Sequence, residues 1–133
     1  MKTENVDRLI QRAQILRVGK VEQALKILDE ALTLAQQCDY KRGMAIIIRD
    51  RAICFLQQHE FKLALAGFTE ALEFFKLLGD TTGQITCNAE VSAIHLELGD
   101  LPSAMLYILA ILRIYMTAAD SEGIAECYTE IAS

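Results

Sequence analysis

A 40-residue period constrains the fold of this chain more than any other feature of its sequence. Four sets of identical residues keep this spacing: Ala24/Ala64/Ala104, Leu16/Leu56/Leu96, Leu32/Leu72/Leu112 and Gly43/Gly83/Gly123. Chemically similar residues follow in the same phase, as at Val21, Phe61 and Leu101. Self-similarity at a fixed period of about 20–50 residues is typical of proteins that stack one supersecondary unit. The chain is therefore predicted to contain three copies of one unit and part of a fourth.

The apolar spacing within each copy is that of an α-helix. In the second half of the first repeat, apolar residues recur at steps of three and four, at Val21, Ala24, Leu25, Leu28, Ala31, Leu32 and Ala35. This pattern forms one face of a helix with 3.6 residues per turn. The pairs Gly19-Lys20 and Gly99-Asp100 separate successive helices, because glycine permits a tight turn. Each repeat is therefore predicted to be a pair of helices.

The predicted fold class is all-α, a right-handed α-solenoid of three antiparallel helix pairs plus a C-terminal capping helix. The seven predicted helices span about residues 4–18, 20–37, 41–58, 60–78, 82–98, 101–118 and 121–132. They are expected to form one domain over residues 1–133, with repeats at about 4–39, 40–79 and 80–119. Residues 120–133 are expected to cover the end of the stack as the first half of a fourth repeat.

Charge and hydropathy set limits on the partners and the location of the chain. The net charge is −5, and Lys41-Arg42 is the longest basic run, which argues against nucleic-acid binding. The most apolar stretch, residues 104–119, is shorter than the roughly 20 residues that span a bilayer, and it contains Arg113. The first residues carry acidic and amide groups where a signal peptide has its apolar core. A soluble cytoplasmic protein without membrane insertion is expected.

The sequence lacks the patterns that usually accompany catalysis or metal binding. It has no glycine-rich phosphate loop, and its four cysteines form no C-x-x-C pair. His95 and Glu97 have the spacing of the His-x-Glu motif of zinc deaminases, but the accompanying Pro-Cys-x-x-Cys is missing. We therefore expect no enzyme activity, no cofactor and no metal site.

The phase-locked residues resemble the tetratricopeptide repeat. The second repeat has the family's small, aromatic and alanine–leucine positions at Ala52, Phe55, Phe61, Ala64, Phe68, Ala71 and Leu72. The first repeat has Gly19, Val21, Ala24, Leu28, Ala31 and Leu32, and the third has Ser92, Gly99, Leu101, Ala104, Ile108 and Leu112. Arg12 and Ile111 depart from the motif at two small positions. The 40-residue length exceeds the family's usual 34, so the resemblance is to its longer-repeat branch, whose members act as adaptors.

The resemblance implies that the first helix of each repeat lines a concave groove for a partner. By register, the groove residues are Val6, Leu9, Ala13, Ile46, Arg49, Ile53, Thr86, Ala89 and Ala93, with Glu126 at the end. Most are apolar and small, and exposed apolar patches usually mark interaction sites. The alternative is that the long helices bury these residues internally. The first hypothesis for function is thus an adaptor that binds a peptide or helix of another protein.

The last complete helix, predicted at residues 101–118, carries a second pattern that indicates an interaction surface. Its outward positions are Pro102, Leu106, Leu109 and Ala110, where the first repeat has Glu22, Lys26, Asp29 and Glu30. A helix that is apolar all round is normally buried on both sides. The second hypothesis is therefore a self-assembly module that forms a homodimer or larger oligomer through Leu106, Tyr107, Leu109 and Ala110. The competing explanation is that a missing downstream part of the protein covers this face.

Overall fold

The computed structural model describes residues 2–118, which form six α-helices joined by short turns. The helices are α1 (Lys2–Leu16), α2 (Val21–Gln37), α3 (Lys41–Gln57), α4 (Phe61–Leu78), α5 (Thr81–Glu97) and α6 (Leu101–Ala118). Within each pair the two helices pack together, and α2 and α4 each pack on the first helix of the next pair. The predicted all-α solenoid is confirmed, and each helix end lies within two residues of its predicted position. The predicted helix at 121–132 lies outside the described residues.

Every turn between the helices contains one residue in the left-handed backbone region. These residues are Gly19, Asp39, His59, Gly79 and Gly99, with φ angles of 93°, 53°, 61°, 67° and 78°. They are spaced by 20 residues, so each 40-residue repeat consists of two halves of equal length. Glycine adopts this conformation without steric cost, whereas other L-residues incur about 1–2 kcal/mol. The turn geometry is thus retained even where the sequence lacks glycine.

His59→Gly is expected to raise the free energy of unfolding by up to about 1 kcal/mol, because it removes left-handed backbone strain. The gain is partly offset by loss of the edge contact between the His59 and Phe61 rings, whose centroids are 6.1 Å apart. Urea unfolding followed by circular dichroism measures the change. The reciprocal variant Gly19→His should be destabilised by about 1–2 kcal/mol. A destabilised His59→Gly variant would show that the contacts of the His59 side chain stabilise the protein by more than its left-handed backbone conformation destabilises it.

Small residues at the periodic positions allow the helices to approach closely. Ala24, Ala64 and Ala104, the equivalent alanines of the three repeats, are all completely buried. One hydrophobic cluster joins α1, α2 and α3, and a second joins α3, α4 and α5. Helix α3 contributes to both clusters, which places it at the centre of the described stack.

Candidate protein-binding groove

The first helices of the three pairs, α1, α3 and α5, carry the predicted groove residues. Ala89 and Ala93 on α5 are exposed. Five of the predicted residues are half-buried: Leu9, Ile46, Arg49, Ile53 and Thr86. Among these, Ile46 and Ile53 are partly buried residues that pack against the core clusters. The predicted groove residue Glu126 lies outside the described residues.

Two of the predicted groove residues lie in the core. Val6 and Ala13 are 0% and 1% exposed and belong to the cluster that joins α1, α2 and α3. Helix α1 contacts both α2 and α3, so both neighbours cover the face that carries these residues. They are therefore inaccessible to a partner, and internal burial, the alternative considered for the whole set, applies to these two positions. For the accessible residues, a role in binding stays a prediction.

A buried carboxylate links α1 to α3 close to Arg49. Asp50 is 2% exposed, and its Oδ2 accepts a hydrogen bond of 2.9 Å from Gln14 Nε2. Arg49 donates from Nε and Nη2 to Asp50 Oδ1, each at 3.3 Å. Arg17 Nη1 lies 3.8 Å from the same oxygen. Buried charges are tolerated when they are paired and hydrogen-bonded, and this network meets both requirements.

Sequence reasoning singled out Arg49 but missed Asp50, Gln14 and Arg17. The available signal was the triplet Arg49-Asp50-Arg51 within the otherwise apolar residues 43–56. The side chains of Arg17 and Arg49, which both lie near Asp50 Oδ1, are each about one-quarter exposed. Two guanidinium groups and one carboxylate leave a formal charge of +2 − 1 = +1 at this point. The network therefore holds Arg49 in place while leaving part of its positive charge accessible.

Asp50→Ala is expected to lower the free energy of unfolding by about 1.5–3 kcal/mol, because charge-assisted hydrogen bonds between α1 and α3 are lost. Chemical denaturation measures the loss. Glu73→Ala is the control, because Glu73 and Lys76 are both exposed and pair at 3.6 Å. Exposed ion pairs contribute only about 0–1 kcal/mol. Equal effects of the two substitutions would contradict a structural role for the Asp50 network.

Cys54, Cys87 and His95 are occupied in packing contacts. Burial raises the pKa of the Cys87 thiol to about 12 and also raises that of Cys54. Both thiols are therefore protonated at neutral pH and are weak nucleophiles. The His95 ring stacks on Tyr107 at 5.6 Å between centroids, and its Nδ1 lies 3.7 Å from Asp100 Oδ2. Residues 2–118 contain no group of three His, Cys, Asp or Glu side chains arranged to hold a metal ion.

The four predicted self-association residues of α6 do not share one face. Leu106 and Leu109 are 67% and 45% exposed. Tyr107 instead turns toward α5, where it stacks on His95 and packs against the second core cluster. Ala110 is half-buried and lines a cavity of about 370 Å³ with residues of α4 and α5.

Between residues 2 and 118, no helix is both long enough and apolar enough to cross a membrane.

Comparison with known proteins agrees with this geometry. The tetratricopeptide repeat family model matches residues 9–77, more than half of the chain. The crystal structure of the tetratricopeptide repeat domain of Arabidopsis FLU is similar in fold, with a TM-score of 0.77 at 19% sequence identity. That match covers 88% of this chain and 99% of the FLU chain. A comparison with curated proteins gives no match.

The helix-pair solenoid defines the class of the protein as a protein–protein interaction module. Within that class, the chain belongs to the tetratricopeptide repeat family.

Proposed function

We propose that the face formed by α1, α3 and α5 binds a peptide or helix of another protein. The observation that carries this proposal is the exposure of Ala89 and Ala93 on α5, together with the partial exposure of Arg49 and Ile53 on α3. Alanine side chains leave room for a partner's backbone to approach. The half-buried isoleucines offer apolar contact area, in the manner of a groove that receives one face of an amphipathic segment.

In the proposed complex, Arg49 gives this surface a preference for a partner segment that carries a hydrogen-bond acceptor. Its side chain is 22% exposed, and its guanidinium carbon lies 5.9 Å from the centroid of the Phe75 ring. Because Asp50 and Phe75 fix the group, less side-chain entropy is lost when it donates to a partner. A partner segment with apolar residues next to an acidic or carbonyl group matches this surface.

Ala93→Arg tests the groove without disturbing the core, because Ala93 is exposed. Affinity isolation of partners should be run in parallel with the wild type, Ala93→Arg and Ala66→Arg. Ala66 is an exposed alanine on α4 and carries the same substitution as a matched control. The specific partner should bind Ala93→Arg at least about tenfold more weakly, a change of about 1.4 kcal/mol, and should bind Ala66→Arg normally. Equal affinities for all three proteins would place the binding site elsewhere.

Self-association through α6 is a second candidate function. Its support is the exposure of Leu106 and Leu109 at positions equivalent to Lys26 and Asp29 of the first repeat. A stable interface typically buries about 800 Å² per partner, so further exposed residues of α6 such as Met105 and Met116 must take part. If this candidate is right, the wild type sediments as a dimer at micromolar concentration and Leu106→Glu/Leu109→Glu as a monomer. A wild-type monomer at high micromolar concentration would rule it out.

A further inference from the structure

The cavity between α4, α5 and α6 brings together polar side chains from all three helices. Its volume is about 370 Å³, which lies within the range of about 300–1,000 Å³ typical of small-molecule sites. Among the described residues, its lining includes six polar or cationic side chains and no acidic one: Lys76, Thr81, Gln84, Asn88, Arg113 and Thr117. The cavity therefore combines the size and the polarity of a ligand site.

The equivalent place in the preceding repeat is apolar where this cavity is polar. Gln84 and Asn88 of α5 correspond to Met44 and Ile48 of α3, forty residues earlier. Both Met44 and Ile48 pack in the hydrophobic core. The packing of the repeat therefore does not require amides at these positions, and their presence in α5 replaces apolar contact by hydrogen-bonding groups.

The charges at the cavity also differ between the repeats. Arg113 and Ala110 of α6 stand where α4 has Glu73 and Glu70, so two negative charges are exchanged for one positive charge. Arg113 is exposed, and its guanidinium makes no ion pair or hydrogen bond with another residue between 2 and 118. Lys76, the second cation of the lining, is exposed and pairs with Glu73 at 3.6 Å. The positive charge of Arg113 is thus available to a ligand.

Asn88 supplies a buried polar group with one unpaired atom. The residue is 3% exposed, and its Nδ2 donates to the Gln84 carbonyl at 2.9 Å. Its Oδ1 accepts no hydrogen bond from any residue between 2 and 118, and this oxygen is not fully enclosed. A largely buried amide oxygen is unfavourable unless a donor reaches it. Because Asn88 lines the cavity, a ligand there can provide that donor.

We infer that this cavity binds a small organic anion that carries a phosphate or carboxylate group and at least one hydroxyl group. The exposed Arg113 and Lys76 match the oxyanion, because a guanidinium donates to two oxygens of a phosphate or carboxylate at once and an ammonium adds a second charge. The Oδ1 atom of Asn88 matches a hydroxyl donor of the same ligand. Charge thus acts at the exposed part of the site and hydrogen bonding at its buried part.

The cavity is separate from the proposed protein-binding face. Ala93 on that face follows Gln84 by nine residues, which is two and a half turns of α5. The two residues therefore lie on opposite sides of the helix. The inference does not depend on the proposed groove, and failure of either proposal leaves the other intact.

Isothermal titration calorimetry of the full chain tests the site with glucose 6-phosphate, gluconate and the uncharged glucose. At least one of the two anions is expected to bind with a Kd of about 1 mM or lower at low ionic strength, and glucose at least about tenfold more weakly. The anion that binds more tightly identifies the preferred oxyanion. Glucose binding as tightly as both anions, or no binding of either anion at about 10 mM, would overturn the inference.

Two substitutions in the lining locate the bound anion. Arg113→Gln removes the charge of an exposed side chain and should weaken binding by at least about tenfold. Asn88→Ile introduces the residue that the preceding repeat has at Ile48, so it should fold with unchanged helix content and bind about fivefold more weakly. Circular dichroism checks that both variants are folded.

Arg12→Gln is the matched control for Arg113→Gln. Arg12 is an exposed arginine that lines a different cavity, of about 380 Å³, with residues of α1 and α2. Its replacement should leave the affinity for the anion unchanged. Equal losses of affinity in Arg12→Gln and Arg113→Gln would show non-specific attraction to positive charge and would overturn the assignment. Full affinity in Arg113→Gln would overturn it as well.

Discussion

Phe68→Ala is expected to lower the free energy of unfolding by about 3–5 kcal/mol, a large part of the stability of a small domain. Phe68 is completely buried in the cluster that joins α3, α4 and α5. Its removal loses the transfer free energy of the ring and leaves a cavity between helices that are already closely packed. Urea denaturation followed by circular dichroism at 222 nm measures the change.

The neighbouring Thr69→Ala variant is the control for Phe68→Ala. Thr69 is exposed, and its hydroxyl donates to the Leu65 carbonyl within the same helix. Its replacement should change stability by less than about 0.5 kcal/mol. A loss below about 1 kcal/mol for Phe68→Ala would show that the core is looser than its burial implies.

Gly83→Leu is expected to destabilise the protein by about 1–3 kcal/mol or more through overpacking. Even a Cβ atom at this position overlaps the Phe75 ring, and Phe75 is too deeply buried to move aside easily. Helix α5 must shift away from α4 to accommodate the new side chain. Thermal and urea unfolding measure the loss.

Thr82→Leu is the matched control, because Thr82 is the preceding residue of α5 and is exposed. Its free energy of unfolding should be close to that of the wild type. If Gly83→Leu is as stable as Thr82→Leu, the close approach of α4 and α5 is not required for stability.

The helices and their pairing could be predicted because local spacing determines them. Apolar residues at steps of three and four and the 40-residue phase were sufficient to place six helices to within two residues. The N-cap of α5 is also determined locally, because Asp80 Oδ1 accepts a hydrogen bond of 2.9 Å from the Gly83 N–H and aspartate is a preferred N-cap residue. Asp39 at a left-handed position was missed, because aspartate carries a weaker turn signal than glycine.

The groove could be predicted only in part, because burial depends on neighbouring helices rather than on register alone. Val6 and Ala13 are equivalent to Ile46 and Ile53, yet only the latter pair is partly accessible. The Asp50 network depends on contacts over 36 residues of sequence, as between Gln14 and Asp50. No local pattern indicates such a contact. The orientation of Tyr107 similarly follows from its stacking on His95.

Photo-crosslinking from position 89 in the complex with the isolated partner tests the central claim most directly. A benzophenone amino acid replaces Ala89 on the proposed groove face, and a parallel protein carries it at Ala66 on α4. Both alanines are exposed, so neither replacement disturbs the core. The account predicts crosslinks from position 89 to one contiguous partner segment and none to that segment from position 66. Crosslinks from position 66 alone would contradict binding in the groove.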